Sequence, residues 1–297
     1  EMLSRYLYGS VRVLLQTANL IVKIAIYRGT APHHTFSADK FIDGLKKHGQ
    51  EYEIWDMNAP GKCDLLVTWG MRNIDKFKGK YRNFLLLEAA YLQPRIDTKS
   101  WPLWYSLGFN GLNGRGTYLN ENKDSTRFNK HFDDGRVKPY REAGNYILVT
   151  MQVPGDASLR HFTGSYDAII EGIKKVVDLP TLIRPHPKAP STRAGVISCR
   201  EPLEKQLDSA KALVTINSNS GVDSLVYGVP VLNLDPGSMC WDLAMKDFSE
   251  LTDPPKPDRT QWLNNLAWCQ WLPEEVALGD AWEHLKTNLE ILNYETN

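Results

Sequence analysis

The sequence predicts an α/β protein built from two Rossmann-like domains that face a central cleft. Short apolar runs alternate with helical segments from residue 22 onward, a stretch rich in Gly, Asn and charged residues interrupts the series at 100–144, and a second alternating series begins at residue 145. Alternating strands and helices build parallel sheets that helices cover on both faces. We therefore predict an N-terminal domain at residues 1–144 and a C-terminal domain with a helical tail at residues 145–297.

The N-terminal series holds four predicted strands and one predicted helix. The helix begins near Ser37 and stops at Gly49, because glycine is common just past a helix end. Residues 100–144 are predicted to be loops and short elements between the domains. The four strands are the apolar runs at 22–27, 51–57, 63–70 and 83–89.

The C-terminal series continues the same alternation. Apolar runs of strand length are each followed by a segment with helical periodicity. The predicted strands are at 145–153, 180–187, 212–218 and 230–234, and the predicted helices at 165–177, 201–210 and 221–227. The tail carries two aromatic-rich predicted helices, at 261–271 and 273–286.

The composition is that of an ordinary globular protein. The 297 residues include 35 basic and 35 acidic side chains, of which residues 1–144 carry 22 and 15. Disordered chains, collagen-like repeats and disulfide-dense scaffolds are excluded. The four cysteines form no CxxC pair, and charged and amide residues interrupt the early apolar stretch at 11–27. We expect reduced thiols, a cytoplasmic location and no membrane span.

Three polar segments follow predicted strands of the C-terminal domain, and ligands bind at such strand ends in open α/β sheets. An Arg-Pro-His-Pro turn offers two side chains that can donate to phosphate oxygens. A Ser-rich loop precedes a helix, where free backbone N–H groups bind phosphate without a metal. A turn or a helix cap explains each segment alone, but together they predict a phosphate site. Its candidate residues are Gln152, Gly155, Arg184, His186, Ser218, Asn219, Ser220 and Gly221.

In chain order these segments read ILVTMQVPGDASL, LIRPHPKAP and VTINSNSGVDSLVYGVPVL. This order resembles that of the capsule-polysaccharide Kdo transferases, which are GT-B glycosyltransferases. The resemblance implies a GT-B-like fold whose C-terminal domain holds a nucleotide sugar, CMP- or UDP-linked, as the donor substrate. It reaches back to NFLLLEAAYLQPR, although Ala-Ala follows Glu88 where the family has Asp-Gly. LDPGSMCWDLA stands where the family has an Ala-Gly-Trp-Gly segment.

Glu88 is the first candidate for a catalytic base. The resemblance maps the acidic residue of the family onto it, and its place at the end of an apolar strand predicts a raised pKa. Asp133 and Asp134 compete, because Asp-Asp-Gly also occurs in bacterial sialyltransferases, but their hydrophilic neighbours favour an exposed turn. The sequence contains no Asp-x-Asp, so we predict a metal-independent transferase without a further cofactor.

The acceptor prediction depends on charge and on a second resemblance. Residues 72–82 carry five basic side chains against one acidic, which predicts a surface for a polyanion. The segment WLNNLAWCQWLPEEVALGDAWEHL resembles the ending of a group of phage-encoded proteins. The hypothesis is therefore transfer to a hydroxymethylated pyrimidine, such as 5-hydroxymethylcytosine, in double-stranded phage DNA. The predicted DNA-binding residues are Arg72, Lys76, Lys78, Lys80 and Arg82.

Three further functions stay open. A Kdo-type or other glycan-building transferase would differ in its acceptor. A nucleotide-sugar 2-epimerase would consume the donor without any acceptor. A non-catalytic binding module would retain the fold, and Glu88→Gln would then change only its stability.

Overall fold

The computed structural model describes residues 22–58, 61–92, 104–191, 195–287 and Leu289. In these residues the strands, in chain order, are β1 Ile24–Tyr27, β2 Tyr52–Trp55, β3 Cys63–Trp69, β4 Tyr81–Ala89, β5 Tyr105–Phe109, β6 Tyr146–Thr150, β7 Thr181–Arg184, β8 Ala210–Thr215, β9 Val231–Asn233 and β10 Gln270–Trp271. The helices are α1 Pro32–Lys47, α2 Met71–Ile74, α3 Thr126–His131, α4 Tyr166–Lys174, α5 Leu203–Leu207, α6 Ser220–Val226, α7 Thr260–Ala267, α8 Pro273–Leu278 and α9 Asp280–Lys286.

The first sheet is mixed, with the strand order β10-β5-β4-β3-β1-β2. Strands β1 to β4 are parallel, as predicted, and their buried apolar residues form the core beneath α1. The expectation of an all-parallel sheet is wrong at one side, because β5 runs antiparallel to both β4 and β10. The parallel strands all end at one edge, and Glu88 lies there.

The expectation that residues 100–144 hold only loops and short elements is wrong for β5, all of whose residues are buried. The strand contains Gly108, and a side chain at this position would meet the ring of Tyr118 at 2.7 Å. Close packing of that ring therefore requires glycine inside a strand. Because glycine usually marks turns and weakens strands, the sequence pattern does not predict β5 as a strand.

The second sheet has the order β7-β6-β8-β9, and its paired strands are parallel, as predicted. All four strands end earlier than expected: β6 at Thr150, β7 at Arg184, β8 at Thr215 and β9 at Asn233. The polar segments that follow them are thus free to form loops at the carboxyl edge. Helix α6 follows β8 and packs against β8 and β9.

The tail differs from the expectation in three ways. The predicted helix at 273–286 is two helices, α8 and α9, separated at Gly279, whose φ is 94°. The predicted helix at 261–271 ends at Ala267, and Gln270–Trp271 pairs with β5. Helices α8 and α9 pack on α1, so this part of the tail joins the first sheet although it was predicted to belong to the C-terminal domain. Burial of Trp282 and Leu285 in the apolar core of the first sheet stabilises this packing of the tail on α1.

Helix α1 begins at Pro32, earlier than the predicted start near Ser37. Proline is favoured in the first helical turn because its missing N–H has no partner there in any case. The helix ends at Lys47, close to the expected end. Within the part of the chain that the structure describes, no helix is long and apolar enough to cross a membrane.

Candidate functional site

Glu88 lies at the carboxyl edge of the first sheet, after the buried run of β4. Glu88 is partly exposed as a residue, and its Oε1 lies beside Gly70, whose φ is 72°. A side chain at this position would approach Glu88 Oε1 to 3.2 Å, besides being strained at a positive φ. Because Gly70 has no side chain, the turn into α2 can lie directly beside the carboxyl group of Glu88.

The environment of Glu88 raises its pKa to about 7. Burial is the largest cause, and the carboxylate of Asp156 adds to it, while the backbone N–H of Ala89 opposes both. A carboxyl group with a pKa near neutrality exchanges a proton efficiently at neutral pH. The pKa of Glu88 is therefore raised, the direction that the sequence predicts, and its role as the base stays a prediction.

Asp156 connects the two halves of the site electrostatically. It follows β6, and its Oδ1 accepts hydrogen bonds from Ser158 N at 2.9 Å and Ser158 Oγ at 2.7 Å. Its charge raises the pKa of Glu88 and also acts to raise the pKa of His186. Sequence reasoning did not select Asp156. The Pro-Gly-Asp turn after a predicted strand could have indicated a functional residue. Only folding brings Asp156 near Glu88, however, so the sequence alone does not reveal its effect.

His186 lies just beyond the end of β7 with its ring partly exposed. Burial and the nearby Lys188 lower its pKa, whereas Asp156 opposes them. Nδ1 of the ring accepts a hydrogen bond from Lys188 N at 3.1 Å. The neutral ring therefore carries its proton on Nε2, which is left to donate to a ligand.

The Ser-rich loop between β8 and α6 offers further donors. Ser218 Oγ accepts a hydrogen bond from Ser220 N at 3.2 Å, and Ser220 Oγ lies 2.7 Å from Thr150 Oγ1. Among the described residues, the backbone N–H groups of Ser218 and Asn219 have no acceptor. Gly221 serves packing, because a side chain there would meet Cys240 Sγ at 2.7 Å. The loop can therefore present two N–H groups to an anion.

Gln152 is buried and joins the two loops of the second sheet. Its Oε1 accepts from Asn217 N at 3.1 Å, and its Nε2 donates to Asn217 Oδ1 at 2.8 Å and to Ser158 Oγ at 3.0 Å. With both ends of its amide group engaged, Gln152 positions the loops. The predicted contact of Gln152 with the donor stays a prediction.

Arg184 and Gly155 have local roles in the fold, and the donor-binding roles predicted for them stay predictions. The guanidinium of Arg184 donates to Gln206 of α5 and to the backbone oxygen of Cys199, 3.2 Å away. It thus binds α5 and the segment before it. Gly155 lies in an exposed turn with a φ of 74°, where glycine is favoured for its backbone conformation.

An ion pair with a buried carboxylate joins the two halves beside the Ser-rich loop. Arg115 donates to both oxygens of Asp235, at 2.7 and 3.0 Å. Asn217 and the backbone N–H of Gly237 also donate to Asp235. Burial opposes ionisation, but these hydrogen bonds hold the pKa of Asp235 below its usual range. We call Arg115 and Asp235 the interdomain ion pair; neither residue was selected from the sequence.

The competing candidate bases lie in an exposed turn after α3. Arg136 binds both oxygens of Asp134, at 2.7 and 2.5 Å, and these hydrogen bonds lower the pKa of Asp134. A carboxylate held in this way is a weak base. Asp133 is exposed as well. Neither carboxylate joins the group formed by Glu88, Asp156 and His186.

The basic segment is divided between opposite edges of the first sheet. Arg72 lies in α2, which follows the carboxyl end of β3, and Lys76 Nζ donates to the hydroxyl of Tyr27 at 3.1 Å. Lys80 and Arg82 lie at the other edge and line a separate pocket of about 260 Å³. The strand from Arg82 to Glu88 is roughly 20 Å long. The five basic residues, including exposed Lys78, therefore do not surround Glu88.

The chain is similar to several known proteins, although no family model matches it. Protein FixF of Sinorhizobium fredii (strain NBRC 101917 / NGR234) is 21% identical over 279 residues. That match covers 82% of this chain and 63% of FixF, so the chain spans less than two thirds of FixF. The β-Kdo 2,4-transferase KpsC of Thermosulfurimonas dismutans has a TM-score of 0.55 and 14% identity, covering 83% of this chain and 90% of that chain.

The structural likeness establishes the fold class that the sequence predicts. The chain is an α/β protein with the GT-B-like arrangement of two Rossmann-like domains. The β-Kdo 2,7-transferase of the same organism matches with a TM-score of 0.48 and 17% identity, covering 86% of this chain and 98% of that chain. Within the described ranges, no three His, Cys, Asp or Glu side chains form a group that could hold a metal ion.

Proposed function

We propose that the protein is a nucleotide-sugar-dependent glycosyltransferase of the GT-B type that acts without a divalent metal. One observation carries this proposal: the charge of Asp156 from the second half acts on both Glu88 of the first half and His186. The carboxylate of Asp156 thus lies within electrostatic reach of a candidate base, Glu88, and of a candidate N–H donor, His186. A general base for the acceptor hydroxyl and an N–H donor for the leaving phosphate both favour transfer of a sugar from a nucleotide to a hydroxyl.

The second half would hold the donor, a CMP- or UDP-linked sugar. Nε2–H of His186 and the free N–H groups of Ser218 and Asn219 would donate to the phosphate oxygens. As the bond between the sugar carbon and the phosphate oxygen breaks, negative charge grows on that oxygen. Fixed N–H donors stabilise this charge without reorganising, and so take the place that a metal ion has in other transferases.

The two carboxyl groups, of Glu88 and Asp156, would have different roles in the transfer. Glu88 would remove the proton from the acceptor hydroxyl as its oxygen attacks the sugar carbon. The positive charge that develops at that carbon would be stabilised by Asp156, which Ser158 holds as a hydrogen-bond acceptor. Different environments give two carboxyl groups different roles, a pattern that is common in enzymes that cleave glycosidic bonds.

For the acceptor we favour a glycan, as in a Kdo-type or other glycan-building transferase. The similarity to the β-Kdo 2,4-transferase agrees with this choice, but at 14% identity it bears on the fold alone. Transfer to a hydroxymethylated pyrimidine in phage DNA would require phosphate contacts around Glu88 to offset the cost of flipping a base. Lys80 and Arg82 lie at the opposite edge, which weakens that hypothesis.

The donor site can be tested by thermal unfolding with CMP, UDP, GDP and their sugars. A ligand at about 100 times its Kd stabilises the folded state by about 2.7 kcal/mol. We expect one nucleotide to raise the Tm, and His186→Ala to remove most of that rise. The matched control is His161→Ala, since His161 is exposed and has no assigned role. No rise with any nucleotide would contradict the proposal, as would an equal rise in both variants.

The same nucleotide sugars distinguish a transferase from an epimerase and from a binding module. A 2-epimerase would convert the nucleotide sugar when no acceptor is present. A binding module would be stabilised by the nucleotide but would leave the nucleotide sugar intact under every condition. Nucleotide release that requires an acceptor is the result expected for a transferase.

A further inference from the structure

Gln270 of the tail is a fully buried polar residue that the proposed mechanism does not use. It lies in β10, where its register partner in β5 is Ser106. Ser106 is also the register partner of Glu88 in β4. Paired residues of neighbouring strands project from the same face of a sheet, so Glu88, Ser106 and Gln270 form a row across three strands. The row is about 10 Å long, because neighbouring strands lie about 4.8 Å apart.

The amide group of Gln270 holds the segment that follows Glu88. Its Oε1 accepts hydrogen bonds from Tyr91 N at 3.0 Å and from Leu92 N at 2.8 Å. Its Nε2 donates to Leu92 O at 3.0 Å. Since β4 ends at Ala89, this side chain supplies the hydrogen-bond partners that a neighbouring strand would otherwise supply. One residue of the tail thus satisfies three backbone groups just beyond Glu88.

Tyr91 connects these contacts to the surroundings of Glu88. The hydroxyl group of Tyr91 lies 2.7 Å from that of Tyr118, which donates to Asn113 O at 3.1 Å. Burial raises the pKa of Tyr91, while hydrogen bonds with Tyr118 and Ser106 oppose that rise. The charge of Glu88 also raises the pKa of Tyr91 and of Tyr118, so its carboxyl group lies near both hydroxyl groups. Movement of Tyr91 would therefore change the environment of Glu88.

Strand β10 is itself held by a buried guanidinium group. Arg127 donates to the backbone oxygen of Gln270 through Nε at 3.2 Å and through Nη2 at 2.7 Å. It also donates to Glu275 Oε1 at 2.9 Å, and the two side chains are 8% and 13% exposed. The guanidinium carbon lies 4.2 Å from the centre of the Trp271 ring. With its backbone held in this way, Gln270 presents its amide group in a fixed position.

We propose that Gln270 is a positioning residue for Glu88, which it holds at the edge of the first sheet by fixing Tyr91 and the segment after β4. This inference rests on the proposed transferase function. A base must lie within hydrogen-bond distance of the proton that it removes, and a displacement of about 1 Å can lower the rate about 100-fold. The tail therefore belongs to the proposed active site as well as to the core of the first sheet, although Gln270 itself would touch no substrate.

The variant Gln270→Met tests this proposal, because methionine has a similar length and lacks the amide group. We expect it to lower the kcat of acceptor-dependent nucleotide release about tenfold or more. The KM for the nucleotide sugar should stay unchanged, because the proposed donor site lies in the second half. A residue that contributed only to stability would leave the kcat of the folded protein at the wild-type value.

An NMR titration of the glutamate carboxyl carbons gives a second measurement that needs no substrate. The signal of Glu88 is the one that Glu88→Gln removes, and its pKa in the wild-type protein is about 7. Water admitted beside a loosened segment should lower this pKa by about 0.5 or more in Gln270→Met. The variant leaves in place the titratable groups coupled to Glu88, which are Asp156, Tyr91 and Tyr118. A lowered pKa therefore reports a change in the position or solvation of Glu88.

The matched control is Asn83→Leu, at the other end of β4. Asn83 is buried and accepts a hydrogen bond from Asn110 Nδ2 at 2.9 Å. Its loss should lower the Tm but change neither the kcat nor the titration of Glu88. A wild-type kcat in Gln270→Met would overturn the proposal, and so would an unshifted titration of Glu88. Equal changes in Gln270→Met and Asn83→Leu would overturn it as well.

Failure of this proposal can be told apart from failure of the proposed function. If Gln270→Met does not fold, Tyr91→Phe gives the decisive result, because it keeps the ring and the backbone contacts and removes only the hydroxyl group near Tyr118. It should lower kcat severalfold with an unchanged KM, and a wild-type kcat would overturn the proposal. If the wild-type protein neither responds to a nucleotide nor releases one, the transferase function fails. The NMR titration then still reports whether Gln270 fixes Glu88.

Discussion

The interdomain ion pair gives the sharpest prediction about stability, because its two members differ in exposure. The side chain of Asp235 is 3% exposed and that of Arg115 is 31% exposed. Replacing Arg115 by Met leaves a buried carboxylate without its cation, although Asn217 and Gly237 still donate to it. Breaking a buried pair in this way costs about 3–5 kcal/mol, and the two remaining donors favour the lower end, about 3 kcal/mol.

The reverse change should cost less. Asp235→Asn keeps an oxygen that can accept from Asn217 and Gly237, and the partly exposed Arg115 can turn to water. The loss is then close to that of ordinary hydrogen bonds to a charged group, about 1.5–3 kcal/mol. We therefore expect Arg115→Met to destabilise the fold more than Asp235→Asn.

Urea unfolding at pH 7, followed by tryptophan fluorescence, measures both changes. The folded-state pKa of Asp235 is lowered, so its contribution is fully present above the ordinary carboxyl range of about 4 and is lost as the pH falls through the folded-state value. Arg136→Met is the matched control, because it breaks the pair with the 54% exposed Asp134 and should cost about 1 kcal/mol or less. The reasoning fails if Arg136→Met costs as much as Arg115→Met, or if Asp235→Asn is the most damaging change.

Three further changes have defined outcomes. The log of kcat/KM should rise with pH up to about 7, where Glu88 becomes ionised; Asp156→Asn should shift this rise to lower pH, and an unshifted profile would exclude the coupling. Gln152→Leu leaves buried polar groups unpaired and should cost about 2–3 kcal/mol in urea unfolding; a cost below about 1 kcal/mol would contradict its positioning role. Gly44→Ala collides with a carbonyl of α8 and should lower the Tm, whereas Gly61→Ala meets only ordinary contacts and should not; equal Tm values would contradict the close packing of α1 on α8.

The regular parts of the fold could be predicted from sequence because local patterns encode them. The apolar runs of β1, β3, β6 and β8 are buried on both faces, as is usual in a parallel sheet. Polar loop residues follow each run and indicate where the strand ends. Glu88 was found for the same reason, as a charged residue that ends an apolar strand. The α/β class and the two Rossmann-like series follow from these elements, whereas the GT-B-like arrangement was implied by the resemblance to the Kdo transferases.

The remainder depends on contacts between distant parts of the chain. Strand β10 has two residues, and only its pairing with β5 makes it a strand. The role of Asp156 depends on its proximity to Glu88, and that of Arg115 on Asp235, 120 positions away. Arg184 was assigned to the phosphate site from its strand end, but its partner Gln206 could not be inferred from spacing. Periodicity carries no information about such pairs.

Nucleotide release from the donor that stabilises the fold, measured with and without acceptor sugars, tests most directly whether both halves contribute to one reaction. Glu88→Gln removes the ability to accept a proton but keeps the size of the side chain, and Asp134→Asn is the control at an exposed carboxylate. We expect Glu88→Gln to keep the nucleotide-induced rise in Tm and to lower acceptor-dependent release by about 100-fold or more, with Asp134→Asn at the wild-type rate. Release by Glu88→Gln at the wild-type rate would contradict the role of Glu88 as the base.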